Sequence, residues 1–357
     1  MENKLQLSDF CDYISDYDLI LLSETWADKH CNLDLKGYDC FSKHRERKKN
    51  SKRNSGGLVC YIRKNISSGV SLKQWDLEDG MCLLLDKAFF GLQEDTFVLN
   101  VYMRGSNSTR QDLDNGLDCW EILFEKISEI RGKESSIIIA GDMNAHTGEQ
   151  QEILIYKDHE IENDNYLHFD FPFHFNSLYS FCESELQDLD IACFRKNEDK
   201  SINTYGRKLL ELTNACGLIF LNGRLKPDKG KGSFTFFNHI GKTTNDYIMC
   251  DKNILNSVLS FKVHDINIWS DHCPISCDVK CFTENSTLTK SAETYSYRWK
   301  EEEKSDFIKK LTLNSFTEDI RKINSLLDQN ENKETVDQVL SHLSETLTEA
   351  GNNIRKS

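Results

Sequence analysis

Short apolar runs alternate with amphipathic segments through the first 280 residues of the chain. The runs predict strands, because each is three to seven residues long and most are dense in apolar side chains. These strands are Leu19–Leu22, Tyr38–Ser42, Leu58–Arg63, Met81–Leu85, Thr96–Tyr102, Ile137–Ala140, Leu218–Leu221, Ser233–Phe237, Asp246–Met249 and Cys277–Val279. Apolar residues recur at helical spacing in Leu5–Tyr17, Asp118–Ile130 and Gly206–Cys216. The alternation predicts an α/β fold in which helices cover sheets.

The run Ile137–Ala140 leads into an unusual polar sequence, GDMNAH. Four consecutive apolar residues predict a strand that is buried on both faces. Gly141 allows a turn, and Asp142, Asn144 and His146 follow at alternate positions, which an extended backbone would place on one side. The pattern fits the floor of an active site and equally a plain polar turn, since Gly, Asp and Asn are common in turns.

Two stretches depart from this alternation. Residues 150–201 mix aromatic and acidic residues without periodicity and predict a long insertion. Beyond Lys280 the chain becomes rich in Ser, Thr, Glu and Lys, and helical periodicity returns at Phe307–Leu313, Ile320–Leu327 and Val336–Leu347. We therefore predict one domain over 1–280 and a separate helical tail over 281–357.

Composition restricts the cellular setting. No run approaches the roughly 18 apolar residues needed to span a bilayer, and the N-terminus lacks the pattern of a secretory leader. The thirteen cysteines are odd in number, scattered, and without a CxxC pair. Reduced thiols in an intracellular protein, with no membrane partner, are the expectation.

The net charge of −14 argues against general adhesion to nucleic acid. One basic cluster stands out nevertheless: the segment 43–53, KHRERKKNSKR, holds seven Lys or Arg against one Glu. A smaller group follows at Arg224–Lys231, with Lys226 and Lys229. Each is either a solvated loop or a surface that attracts phosphates, and the sequence leaves both readings open.

Polar residues at the predicted strand ends carry a family resemblance. In chain order they are Glu24, Tyr102, Asp142, Asn144, Thr235, Asp246, Asp271 and His272. Their order and the strings LLSETW, NVY, GDMNAH, FTF, NDYIM and SDHCPI resemble the endonuclease/exonuclease/phosphatase superfamily. Within it, the endonuclease domains of non-LTR retrotransposons, which resemble apurinic/apyrimidinic endonucleases, are the most similar. The resemblance spans roughly 1–280.

The resemblance implies a four-layer α/β sandwich of two mixed sheets flanked by helices. It also implies a Mg²⁺-dependent endonuclease that nicks DNA, with Mn²⁺ as an alternative ion and the nucleus as the site of action. Glu24 and Asp271 are the expected metal ligands. The catalytic residues implied are Asp142 and Asn144 at the attacking water, His272 and its partner Asp246, and Tyr102 at the phosphate. Expected contacts to phosphate or DNA come from Thr235, Arg104, Lys48, Lys49, Lys52 and Arg53.

Two further expectations concern the ends of the chain. Family members open with a strand that carries an asparagine near the metal, and this sequence is expected to lack that strand and thus one partner of the metal site. The tail, with YSYRW at Tyr295–Trp299, is similar to the linker that precedes a reverse transcriptase, which a longer or related chain would supply. The alternatives are a phosphatase or phosphodiesterase of the same superfamily and an inactive remnant that only binds a partner.

Overall fold

The computed structural model describes residues 1–45, 55–105, 118–156 and 180–281, all within one compact unit, Met1–Thr287. Several predictions lie outside the described residues. They are the functions of Lys48, Lys49, Lys52 and Arg53, the centre of the insertion at 157–179, and the helical tail from 282 onward. The division of the chain at residue 280 therefore stays a prediction.

The described residues form strands and helices in alternation. The strands are β1 (Leu19–Leu22), β2 (Tyr38–Lys43), β3 (Leu58–Arg63), β4 (Val70–Lys73), β5 (Gly80–Leu85), β6 (Thr96–Tyr102), β7 (Ser136–Asp142), β8 (Leu154–Tyr156), β9 (Ser180–Cys182), β10 (Ile219–Phe220), β11 (Phe236–Phe237), β12 (Lys242–Thr243), β13 (Asp246–Cys250), β14 (Val258–Val263) and β15 (Ile275–Val279). The helices are α1 (Glu2–Leu5), α2 (Ser8–Ile14), α3 (Lys87–Phe90), α4 (Cys119–Arg131), α5 (Glu183–Asp188), α6 (Thr204–Ala215) and α7 (Lys252–Leu255), with a 3-10 turn at Ser67–Gly69.

The largest sheet has six strands in the order β10-β13-β7-β6-β5-β4. Only β6 and β7 pair in parallel within it, across the connection that contains α4. A second, antiparallel sheet has the order β1-β3-β2. Three two-stranded pairs complete the described set: β8 with β9, β11 with β12, and β14 with β15.

Three apolar clusters show that these elements stack in four layers. The first lies between the two sheets and joins Cys60 and Ile62 of β3 to Leu83 of β5 and Ile138 of β7. The second packs the opposite face of the six-stranded sheet on α4 and α6. The third packs the outer face of β3 on α2. The predicted α/β sandwich with helices outside is confirmed.

The bounds differ from prediction where local geometry overrides periodicity. The helix predicted over Leu5–Tyr17 is shortened to α2. Leu7 has an extended backbone and an exposed side chain, and it separates α2 from α1, which ends at Leu5. The predicted strand Ser233–Phe237 shortens to β11. The elements β4, β14, α3 and α7 were not predicted.

Two compositional expectations can be compared with the structure. All thirteen cysteines are free thiols in the structure, and the intracellular setting inferred from them stays a prediction. Among the described helices, none has the length and apolar character required to cross a bilayer.

Candidate active site

Three neighbouring strands of the six-stranded sheet bring polar residues to one edge. Tyr102 at the end of β6 lies opposite Asp142 at the end of β7. Asp142 in turn lies opposite Asp246 at the start of β13, which runs antiparallel to β7. The edge therefore holds a phenol and two carboxylates side by side.

His272 joins this edge from the loop before β15. Its Nδ1 lies 2.8 Å from Asp246 Oδ2, and its Nε2 lies 3.9 Å from Asp142 Oδ2. Ligand atoms of these three residues lie within 4.8 Å of one another. Phe236 of β11 supports the imidazole, since their ring centroids are 4.7 Å apart and a β-bridge joins the two residues.

Burial and like charge set the electrostatics of this cluster. Burial raises the pKa of Asp142, and the neighbouring Asp246 carboxylate raises it further. Burial alone would lower the pKa of His272, but the hydrogen bond and negative charge of Asp246, with the charge of Asp142, raise it to about 9. The site therefore favours a protonated imidazole beside a carboxylate of increased basicity.

The backbone after β7 is not extended, contrary to the prediction. Asn144 has a left-handed φ of 46°, which turns its side chain back so that Nδ2 donates to Met103 O at 2.6 Å. The backbone N–H of Asn144 donates to Asp142 Oδ1 at 2.9 Å. His146 lies in a different group, where its Nδ1 is 2.8 Å from Ser201 Oγ. Asp142 and Asn144 are thus brought together, and His146 is directed elsewhere.

Glu24 follows β1 and reaches the same site. Burial, followed by the hydrogen bond and charge of Glu24, raises the pKa of Tyr102, which places the carboxylate beside the phenol. The charge of Glu24 also contributes to the raised pKa of Asp142. Glu24 and Trp26 both have left-handed backbones, with φ of 50° and 51°. Trp26 Nε1 lies 3.4 Å from Glu24 Oε2.

Other predicted residues lie in different surroundings. Asp271 is exposed, and its charge contributes to the raised pKa of His272. Thr235 is fully buried, and its Oγ1 accepts from the backbone N–H groups of Asn245 and Asp246 at 3.0 Å. This contact holds the start of β13. The predicted roles of Asp271 as a ligand and of Thr235 at a phosphate stay predictions.

Arg104 is buried and pairs with Glu78 and Asp79, at 2.5 and 2.7 Å. Arg45 pairs with Asp79 as well, and the backbone carbonyl of Asp79 accepts from Tyr102 N. This ion-pair group supports the strand end that carries Tyr102. The predicted contact of Arg104 with phosphate or DNA stays a prediction.

The donor set of this site fits a hard divalent cation. Glu24, Asp142 and Asn144 offer carboxylate and amide oxygens, the ligands that Mg²⁺ and Mn²⁺ prefer. No described residue donates a hydrogen bond to Asn144 Oδ1. The buried Asp142 lies beside a second carboxylate, where positive charge is stabilising. The imidazole of His272 is already bonded to Asp246, so its assignment as a hydrogen-bond donor is more consistent with the geometry than ligation.

Comparison with known proteins bears on the family and the fold of the chain. The Endonuclease/Exonuclease/phosphatase family model matches residues 1–272. The chain is similar to AP endonuclease LMAP from Leishmania major, with 14% identity, a TM-score of 0.52, and coverage of 78% of this chain and 84% of that one. It is also similar to the 3'-5' exonuclease NExo from Neisseria Meningitidis, with 13% identity, a TM-score of 0.48, and coverage of 77% and 95%. No curated protein matches the chain.

Proposed function

The chain belongs to the endonuclease/exonuclease/phosphatase family, and from this premise we propose that it is a Mg²⁺-dependent phosphodiester hydrolase that nicks one strand of DNA. One observation carries the proposal. His272 lies between two carboxylates, bonded to Asp246 through Nδ1 and directed toward Asp142 through Nε2. Such an arrangement offers a proton donor and a proton acceptor within the reach of one phosphate.

Asp142 is the residue that we assign to the attacking water. A raised pKa makes its carboxylate a stronger base than an exposed aspartate, so it accepts a proton from water more readily. Asn144 lies beside it through a backbone hydrogen bond, with an amide oxygen free of described donors. Asn144 would hold the water or a phosphate oxygen in line.

His272 is the residue that we assign to the phosphate. Its bond to Asp246 fixes a proton on Nδ1 and leaves Nε2 to donate to a non-bridging oxygen. A pKa of about 9 keeps the ring cationic at neutral pH, which stabilises the charge that develops on the phosphorane. Glu24 and Asp271 are the residues that we assign to a divalent ion, which would act as a Lewis acid and neutralise charge on the phosphate when bound.

The proposal also includes DNA as the substrate and a retrotransposon origin for the chain. The six ordered strings that resemble non-LTR retrotransposon endonucleases support them, as does the basic run at 43–53. A reverse transcriptase as partner stays a prediction.

A plasmid-nicking assay tests the proposal. With Mg²⁺, the chain should convert supercoiled plasmid to the open circle, and chelation with EDTA should stop the conversion. His272→Ala should lower the rate by roughly 10²- to 10⁴-fold, the typical contribution of a positioned acid or base. His146→Ala is the matched control, because this histidine is also hydrogen-bonded and partly exposed but lies outside the cluster. Its rate should equal that of the parent.

Other outcomes would assign the site differently. Release of inorganic phosphate from nucleotide or inositol substrates without nicking would indicate a phosphatase. Absence of cleavage together with absence of Mg²⁺-dependent thermal stabilisation would indicate a protein that only binds a partner. Equal rates for parent and His272→Ala would refute the role of the imidazole.

A further inference from the structure

Trp26 is a large aromatic side chain that the fold places on the surface. Its side chain is 54% exposed, whereas the residues on either side, Thr25 and Ala27, are buried. The other described tryptophans, Trp75, Trp120 and Trp269, are buried or half-buried. Burial of apolar area favours placing the largest apolar side chain inside, but here the indole is exposed and its two smaller neighbours are buried.

The backbone around Trp26 is held in this arrangement. Left-handed φ values at Glu24 and Trp26 are uncommon for residues with a Cβ, and for a bulky side chain they indicate strain. Two hydrogen bonds hold the segment: Thr25 N to Gly57 O at 3.2 Å and Trp26 N to Gly56 O at 2.9 Å. Gly57 has a left-handed φ of 85°, and a Cβ there would lie 3.0 Å from Thr25 Oγ1, so a larger residue would be strained at this position. Strain retained at a site edge points to function.

The indole adjoins the candidate active site through Glu24. Its Nε1 lies 3.4 Å from Glu24 Oε2, and the charge of Glu24 contributes to the raised pKa of Tyr102 and of Asp142 in the site. Without a bound cation, the carboxylates of the site repel a phosphate group. They do not repel the uncharged face of a nucleobase. A planar, exposed indole binds such a face by stacking, and it does so for every base.

We propose that Trp26 is a stacking platform for an unpaired nucleobase of the DNA strand next to the cleaved bond. The inference rests on the proposed nuclease function and narrows its substrate to DNA that is locally unstacked. Single-stranded DNA, or a duplex with an unpaired base, should therefore bind more tightly than a fully paired duplex of the same length.

Fluorescence of the intrinsic tryptophans tests this without catalysis. In EDTA, a single-stranded oligonucleotide should quench the emission of the parent, and Trp26→Phe should lose that quenching. Trp26→Phe keeps an aromatic face and removes only the N–H to Glu24, so its affinity by fluorescence anisotropy of a labelled oligonucleotide should stay within about threefold. Trp26→Ala should weaken binding roughly 5- to 150-fold, which corresponds to the loss of one stacked base.

Two controls keep the result interpretable. Trp26→Asn removes the ring with a residue that tolerates left-handed φ, so its binding should weaken as for Trp26→Ala even if alanine disturbs the loop. Phe194→Ala removes an aromatic ring that is 70% exposed and makes no described contact with the site, and it should bind like the parent.

The outcomes separate this inference from the proposed function. If the parent nicks plasmid but Trp26→Ala and Trp26→Asn bind single strands as tightly as the parent, stacking is refuted and the nuclease stands. If the parent binds with quenching but does not nick, the platform stands and the catalytic proposal fails. If the parent shows neither, both fail.

Discussion

Glu152 offers the most direct test of how the fold holds its charged interior. Its carboxylate is fully buried with two arginines that are buried as well. Arg224 Nε and Nη2 donate to it at 3.0 and 3.1 Å, Arg195 Nε lies 3.5 Å away, and Phe220 N donates at 3.0 Å. Glu152→Ala removes a carboxylate that pairs with both guanidinium groups.

The expected loss follows from these contacts. Removing one partner of a buried ion pair costs about 3–5 kcal/mol, because the remaining charge stays buried without compensation. The Phe220 N–H also loses its acceptor, which adds on the order of 1 kcal/mol or more, and the two losses do not simply add. A loss of about 4 kcal/mol is a large part of the stability of an ordinary domain. Glu152→Gln keeps an acceptor oxygen and should lose less.

Urea unfolding, monitored by far-UV circular dichroism, measures the change in the free energy of unfolding. The dependence of that free energy on urea concentration is compared between variants. Glu149→Ala is the matched control, because Glu149 also faces two cations, Lys200 at 2.8 Å and Lys196 at 3.6 Å, but at the surface. Its unfolding midpoint should equal that of the parent. Equal midpoints for Glu152→Ala and Glu149→Ala would refute the argument that burial gives this group its weight.

Three further predictions concern catalysis, DNA binding and acid stability. Asp142→Ala should lower plasmid nicking by roughly 10²- to 10⁴-fold with an unchanged circular dichroism spectrum, and an unchanged rate would remove its role at the water. Neutralising Lys48, Lys49, Lys52 and Arg53 of the basic run should weaken DNA binding. It should also flatten the slope of log K against log salt by roughly 0.9 per lost phosphate contact. An identical slope in variant and parent would show that the run is a solvated loop. Burial raises the pKa of Asp251 to about 6, so the folded state disfavours its charged form. Stability from this group is present below its ordinary pKa and is lost as pH rises through 6, by up to about 3 kcal/mol. The free energy of unfolding of the parent minus that of Asp251→Asn should therefore decrease as the pH rises from 4 to 6. A difference that does not change with pH would contradict the raised pKa of Asp251.

The fold was predictable where one physical signal dominates. The strands Leu19–Leu22 and Thr96–Tyr102 have the bounds that their apolar runs predict, and Asp118 caps α4 with a capping box as its sequence suggests. The strands β11 and β12 have two residues each, which is too short for a periodicity to show. They depend on pairing that the sequence does not display.

The structure of the insertion at 150–201 was not predicted, because its buried charged residues look like surface residues in the sequence. Arg195 and Arg224 are charged and so predict surface, yet both are fully buried because Glu152 pairs with them. The nearby Lys226 and Lys229, grouped with Arg224 as a basic cluster, both pair with Asp190. This pairing leaves the second cluster with less positive charge for phosphates than its composition suggests.

The polar end of β7 shows what a pattern can and cannot carry. Alternation predicts Asp142, Asn144 and His146 on one side of an extended backbone, but the backbone turns left-handed at Asn144, so alternation does not explain why Asn144 lies near Asp142. Asn144 nevertheless reaches Asp142, because asparagine tolerates that φ and its amide can bond back to Met103 O. The informative signal was therefore the identity of Asn144 and not its spacing from Asp142. The left-handed turn at Asn144 brings its amide to the carboxylate of Asp142, and a β-branched residue would resist that turn. For sites of this kind, a residue at a strand end that tolerates left-handed φ, such as asparagine, is therefore a stronger signal than the alternation of polar positions.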